Sequence, residues 1–129
     1  MQSIKKDSQE YVHIGCFEDT PLDRTMGGIE GNCDMLDGYY ANRVKAIEKC
    51  YQCALEKNFT MFALQGGGFC RADNKGLYAK HGHSSACSGS GKGGVWANDV
   101  YEIISGTPET GNTFNRLAEC LRLPTASLF

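Results

Sequence analysis

The sequence has little positive charge and no long apolar run. Lysine and arginine total 13 against 15 aspartate and glutamate residues, which gives a formal net charge of -2 over 129 residues. A surface that follows nucleic-acid phosphates needs an excess of basic residues, so no nucleic-acid partner is expected. The longest apolar stretches resemble Met61–Leu64, whereas a membrane helix needs about 20 residues, so no membrane span is expected. The first residues also lack the apolar segment of a secretory signal, which taken alone favours the cytosol.

Length and composition predict one domain with a tail at each end. A chain of 129 residues fits a single domain with a modest core. Residues 1–10 are polar without periodicity and are predicted to be a flexible lead-in. Residues 11–104 carry the dense apolar pattern of the domain. Residues 105–129 are predicted to be a linker and a short amphipathic segment, which Pro124 ends.

Within 11–104 the apolar spacing predicts one helix among several strands. The helix is expected to begin after Asn42, a good N-cap residue, with its apolar side formed by Val44, Ile47, Tyr51, Ala54 and Leu55. Strands are predicted at 11–17, 59–65 and 100–104, with a glycine hairpin at 66–68 and a long loop over 72–95. This order predicts an α+β domain, a small antiparallel sheet crossed by one helix.

Cysteine is abundant for a chain of this size. Seven are present, six of them between positions 16 and 87, and the seventh is Cys120 in the tail. Their spread along the core is typical of cross-links between distant segments, which favours disulfides and a secreted, extracellular protein over the cytosolic alternative. The sequon Asn58-Phe59-Thr60 adds Asn58 as a candidate glycosylation site.

Two other uses of the cysteines remain open at this point. Cys50 and Cys53 form a C-x-x-C pair, but the first of them follows the predicted N-cap by eight residues, beyond the helix N-terminus that stabilises a catalytic thiolate. Zinc could be bound by these two with further ligands from Cys70, Cys87, His81 and His83. A C-x-x-C in the middle of a helix is unlike a zinc knuckle, so no metal or other cofactor is expected.

Catalysis has no positive support, and a recognition surface is the remaining hypothesis. The exposed loop histidines His81 and His83 show no triad pattern, and no hydrolase, phosphate-loop or dinucleotide motif occurs. Aromatic rings beside amide, carboxylate and guanidinium groups suit sugars, whose C–H faces stack while their hydroxyls accept and donate hydrogen bonds. The alternative for each aromatic is ordinary packing. The candidate ligand-binding residues are Arg24, Tyr78, His83, Trp96 and Asn98.

The order of several short motifs resembles a WSC domain. These are Tyr11-Val-His-Ile-Gly-Cys16-Phe-Glu-Asp19 followed by Arg24, then Phe62-Ala-Leu-Gln65-Gly-Gly67-Gly-Phe-Cys70, and finally Val100-Tyr101-Glu-Ile103. The match covers about 11–104 and is closest to WSC-like modules of secreted invertebrate proteins. The chain departs from that pattern at Arg71-Ala72 after Cys70 and in the spacing of Cys50 and Cys53. The resemblance implies a PAN/apple-like fold, an extracellular setting, carbohydrate binding and no catalysis.

The same resemblance implies a disulfide pattern. It links the helix to the hairpin through Cys50–Cys70, and then Cys16–Cys87 ties the first strand to the long loop and leaves Cys33–Cys53. Cys120 has no assigned partner, and a homodimer cross-linked through it is one alternative. The leading hypothesis is therefore a secreted, non-catalytic module that binds an extracellular glycan or glycoprotein. The second is an extracellular protein-interaction or matrix-assembly module that dimerises through the tail.

Overall fold

The computed structural model describes residues 10–104, which form a five-stranded antiparallel sheet with one α-helix. The strands are β1 (Tyr11–Glu18), β2 (Gly27–Gly28), β3 (Met61–Gln65), β4 (Phe69–Asp73) and β5 (Ala97–Ile103). Their order across the sheet is β1-β5-β3-β4-β2, so the first and last strands are neighbours. The prediction of an α+β domain with a small antiparallel sheet is confirmed.

The helix α1 spans Ala46–Glu56 and begins later than the sequence pattern predicts. Asn42 is not its N-cap, because it belongs to a separate 3-10 turn at Tyr40–Asn42. Lys45 precedes α1 in a left-handed conformation with φ of 56°, which interrupts helical backbone at that point. Val44 is consequently exposed and lies outside the apolar side of the helix. At 11 residues α1 is too short to cross a bilayer, and no candidate span occurs within 10–104.

Two apolar clusters lie on the two faces of the sheet. On the α1 side, Phe62, Leu64 and Tyr101 pack against Tyr51 and Ala54 of the helix. The rings of Phe62 and Tyr101 are stacked with centroids 4.9 Å apart. The opposite face has a smaller cluster, formed by Phe17, Met26, Met61, Ala63 and Val100. Because strand side chains alternate between these two covered faces, every residue of β3 is buried, including the polar Gln65 at its end.

Three disulfides hold the core together. They join Cys16 to Cys87, Cys33 to Cys53 and Cys50 to Cys70, the same three pairs that the resemblance implies. Cys50 and Cys53 bond to different partners and not to each other, so the C-x-x-C sequence is not a redox pair in this state. All six core sulfurs are also unavailable as zinc ligands, which contradicts the zinc alternative.

Several predictions concern residues outside the described range. The flexible lead-in over 1–10 (apart from Glu10), the linker and amphipathic segment over 105–129, and the partner of Cys120 all lie there. They stay predictions.

Candidate functional site

The face of the sheet opposite α1 ends in a group of buried polar side chains. Strand register places Gln65 opposite Asn98 and Arg71 opposite Ala63, so these side chains share that face. Gln65, Arg71 and Asn98 are all buried. The loop between β1 and β2 lies over them and contributes further polar groups. We call the resulting set the polar network: Asp19, Arg24, Thr25, Gln65, Arg71 and Asn98.

Asp19 and Gln65 connect the loop to the sheet. The Asp19 carboxylate accepts hydrogen bonds from Arg24 Nη1 at 2.9 Å, from Gln65 Nε2 at 2.9 Å and from the Thr25 N–H at 3.1 Å. Gln65 Oε1 accepts from Arg24 Nη1 at 3.2 Å and from Arg71 Nε at 3.0 Å. The Gln65 amide thus accepts hydrogen bonds from two guanidinium groups and donates one to a carboxylate. These bonds fix the orientation of the Gln65 amide.

Positive charge exceeds negative charge in the polar network. Arg24 and Arg71 share the neutral acceptor Gln65 Oε1, and Asp19 is the one carboxylate among the six residues. Arg71 also donates from Nη1 to the Met26 carbonyl at 3.1 Å, which supplies no compensating charge. Burial lowers the pKa of the Arg71 guanidinium below its ordinary value, and repulsion from Arg24 lowers it further. The two cations therefore oppose each other at this end of the sheet.

Trp96 lies at the tip of a tight turn that leads into β5. Gly94 and Ala97 hydrogen-bond to each other in both directions, with Val95 and Trp96 between them. Trp96 has a φ of 50°, in the left-handed region that glycine adopts without penalty and that a bulky residue rarely adopts. The turn is tied to the sheet because the Gly66 N–H donates to the Gly94 carbonyl at 3.0 Å. A strained residue held by such contacts is often a functional one.

Trp96 and Arg24 form the solvent-facing part of the site. The Arg24 Cζ atom lies over the indole at 4.8 Å from the ring centroid, within the range of a cation–π interaction. Trp96 is 42% exposed and the Arg24 side chain 37% exposed. The Asp19 N–H donates to the Trp96 carbonyl at 2.9 Å, which joins the turn to the polar network. An aromatic surface beside a guanidinium is thereby presented to solvent.

Asn98 carries an unpaired acceptor beneath this surface. Its side chain is fully buried and its Nδ2 donates to Thr25 Oγ1 at 3.4 Å. Its Oδ1 has no hydrogen-bond partner within residues 10–104. A buried polar atom left unpaired costs about 1–3 kcal/mol, so it stands out in a network whose other members are bonded.

Two of the five predicted ligand-binding residues belong to a neighbouring aromatic group. Tyr78 contacts Phe17 edge-on at 5.0 Å between centroids, and His83 stacks on the same ring at 4.6 Å. Phe17 lies opposite Asn98 in the β1–β5 register, which places this group beside the polar network. Arg24, Trp96 and Asn98 belong to the site described above, whereas Tyr78 and His83 contact Phe17 beside it. The ligand-binding role of all five residues stays a prediction.

Sequence reasoning assigned no role to Asp19, Gln65 or Arg71. The signal for Gln65 and Arg71 is a polar residue within an apolar strand, since such a residue is buried only with partners. Asp19 gives no comparable signal, because its partners are distant in sequence except for the loop residues Arg24 and Thr25.

No cluster of three or more His, Cys, Asp or Glu side chains suited to a metal occurs in the described residues. Within residues 10–104, the shortest histidine–carboxylate contact joins His13 Nε2 to Asp99 Oδ1 at 2.7 Å. Asp99 lies opposite Leu64, on the α1 side of the sheet, so this pair is separated from the polar network by the sheet itself.

Comparison with protein-family models and with curated proteins finds no match to this chain. The WSC resemblance therefore stays a prediction that depends on the motifs quoted above.

Proposed function

We propose that this chain is an extracellular, non-catalytic module that binds carbohydrate through Trp96 and Arg24. The observation that carries the proposal is the partly exposed Trp96 ring beside the Arg24 guanidinium, on a residue whose backbone is held in the left-handed conformation. Sugars present C–H faces that pack on aromatic rings and hydroxyls that bond to fixed polar groups. Arg24, which Asp19 and Gln65 hold in place, supplies such a group beside the ring.

The backbone of Trp96 supports a binding role over a packing role. Glycine at this position would form the turn without strain, at a saving of about 1–2 kcal/mol. A tryptophan that is 42% exposed gains less from burial than a core residue does. Such strain is commonly tolerated at sites where the side chain binds a partner.

The extracellular setting is supported by the covalent structure. Three disulfides within residues 16–87 are typical of proteins that fold in an oxidising compartment. The sequon residues Asn58 and Thr60 are both exposed just after α1, as glycosylation of Asn58 would require.

Because Trp96 is the sole tryptophan, its indole N–H gives a single resonance that reports ligand contact directly. A glycan array should identify ligands of the folded protein, and titration with a positive glycan should shift that resonance. Trp96→Ala should abolish binding on the array. Tyr39→Ala, which removes another exposed aromatic ring, should leave it intact. An array without any binding to folded protein contradicts the proposal.

A second candidate function, protein recognition at the same surface, is favoured by two apolar loop tips. Leu22 is 95% exposed in the loop that carries Arg24, and Val95 is 78% exposed beside Trp96. Substitution of both residues by Ser should strongly weaken the binding of a protein partner and have little effect on the binding of a sugar. If assembly instead depends on the tail, Cys120→Ser should convert a dimer to a monomer in light scattering and non-reducing electrophoresis.

A further inference from the structure

We propose that the ligand of this surface carries an anionic group, a carboxylate or sulfate on a sugar ring, and that the Nε–Nη2 edge of Arg24 binds it. The inference rests on the proposed carbohydrate function and narrows it to acidic sugars. Three features of the site support it, namely the free donors of Arg24, the charge balance around Asp19 and the position of Trp96.

The hydrogen bonds of Arg24 leave one edge of its guanidinium unused. Both of its bonds start from Nη1, toward Asp19 and Gln65. A guanidinium has five N–H donors, so the donors of Nε and Nη2 have no partner within residues 10–104. The Arg24 side chain is 37% exposed, so a ligand can reach part of it. Two parallel N–H groups match the two oxygens of a carboxylate or sulfate, a geometry that a neutral hydroxyl does not provide.

The charge balance of the polar network favours an anion. Two guanidinium groups meet one carboxylate, which leaves one positive charge in excess. The next acidic residue along the loop, Asp23, is engaged elsewhere, because it accepts from Lys80 Nζ at 2.9 Å and lies 3.6 Å from His81 Nε2. A bound anion would supply the second negative charge and balance the two guanidinium groups. This local excess of positive charge occurs in a chain whose overall charge is negative.

Trp96 distinguishes an acidic sugar from a free anion. The indole and the Arg24 guanidinium are 4.8 Å apart and both are partly exposed. One ligand can therefore place its acid group on the free guanidinium edge and its ring against the exposed part of the indole. The sugar ring and the acid group are each recognised by a different side chain.

The test compares matched acidic and neutral sugars on the folded chain. Methyl β-D-glucuronide and glucose 6-sulfate are titrated against methyl β-D-glucoside, with the Trp96 indole N–H and the Arg24 Nε–H followed by NMR. We expect at least one acidic sugar to bind about tenfold more tightly than the glucoside at low salt, since hydrogen bonds to charged groups are the stronger ones. That preference should decrease as salt is added.

Variants locate the effect at Arg24. Arg24→Gln should remove the preference for acidic sugars, and Arg24→Lys should keep only part of it, because lysine retains the charge beside Asp19 but lacks the planar edge. Lys75→Gln removes the same charge from an exposed loop position and should change nothing. Far-UV circular dichroism verifies that each variant is folded.

The two proposals fail in different ways. If both acidic and neutral sugars shift Trp96 with equal affinity, the acidic inference is wrong and carbohydrate binding stands. If the acidic preference survives Arg24→Gln, the assignment to this edge is wrong. If neither the sugars nor the wider glycan array gives any binding, both proposals are wrong.

Discussion

The left-handed backbone of Trp96 gives a prediction that isolates strain from side-chain contacts. Trp96→Gly and Trp96→Ala both remove the indole, but only alanine retains a Cβ at a φ of 50°. That conformation costs a non-glycine residue about 1–2 kcal/mol. Glycine raises the entropy of the unfolded chain, which offsets about 0.4–1 kcal/mol of the gain. We therefore expect Trp96→Gly to be the more stable variant by about 0.5–1 kcal/mol.

The neighbouring turn residue provides the matched control. Val95 has no positive φ, so there the ordinary order applies and Val95→Ala should exceed Val95→Gly in stability by about 0.4–1 kcal/mol. Urea unfolding of the disulfide-intact proteins, followed by circular dichroism, measures all four variants without requiring the tryptophan signal. If alanine equals or exceeds glycine at position 96 while the Val95 pair behaves as expected, the strain assigned to Trp96 is refuted.

Two further predictions concern the rest of the domain. Burial would raise the pKa of the Glu30 carboxyl, but hydrogen bonds from Arg43 and from a backbone N–H of β4 hold that pKa below its ordinary value. The stability that Glu30 confers is therefore fully present above its pKa in the unfolded chain and is lost as the pH falls through its lower pKa in the folded chain. Glu30→Gln should lower the free energy of unfolding by about 2 kcal/mol at pH 7 and by much less near pH 3, and the exposed control Glu102→Gln should have little effect. Replacement of Cys16 and Cys87 by alanine should cost about 4 kcal/mol in urea unfolding, against about 3 for either other disulfide, because their sequence separation is 71 residues against 20. A smaller loss than from the other two pairs would contradict the loop-entropy explanation.

Local patterns in the sequence predict most of the sheet. Residues 61–64 of β3 are all apolar, and the glycines at 66–68 form the turn between β3 and β4 as expected, whereas β5 begins three residues before the predicted strand at 100–104 because it includes the polar Asn98 and Asp99. The two-residue β2 could not be predicted, since Gly27–Gly28 has no apolar alternation and pairs with residues more than 40 positions away in β4. Such pairing depends on tertiary contacts, which a local pattern does not contain.

The start of α1 and the makeup of the site were harder to predict for a related reason. The buried Arg43 side chain donates hydrogen bonds to the Glu30 carboxylate and to the Asp37 carbonyl. These bonds, rather than the helical periodicity, determine the path of the chain before α1. Likewise, the sequence allowed Arg24 and Trp96 to be predicted as ligand-binding residues from their residue types alone. Their link through Asp19 joins positions 77 residues apart, and only the folded chain brings them together.

The pairing of β1 with β5 also determines where the two ends of the described domain lie relative to Trp96. Tyr11 lies opposite Ile103 at one end of this pair, and Glu18 lies opposite Ala97 at the other, next to Trp96. Both chain connections therefore leave from a single pole, about 25 Å along the strands from the indole. The end of the sheet that carries Trp96 is therefore the one farther from the points where residues 10–104 join the rest of the chain.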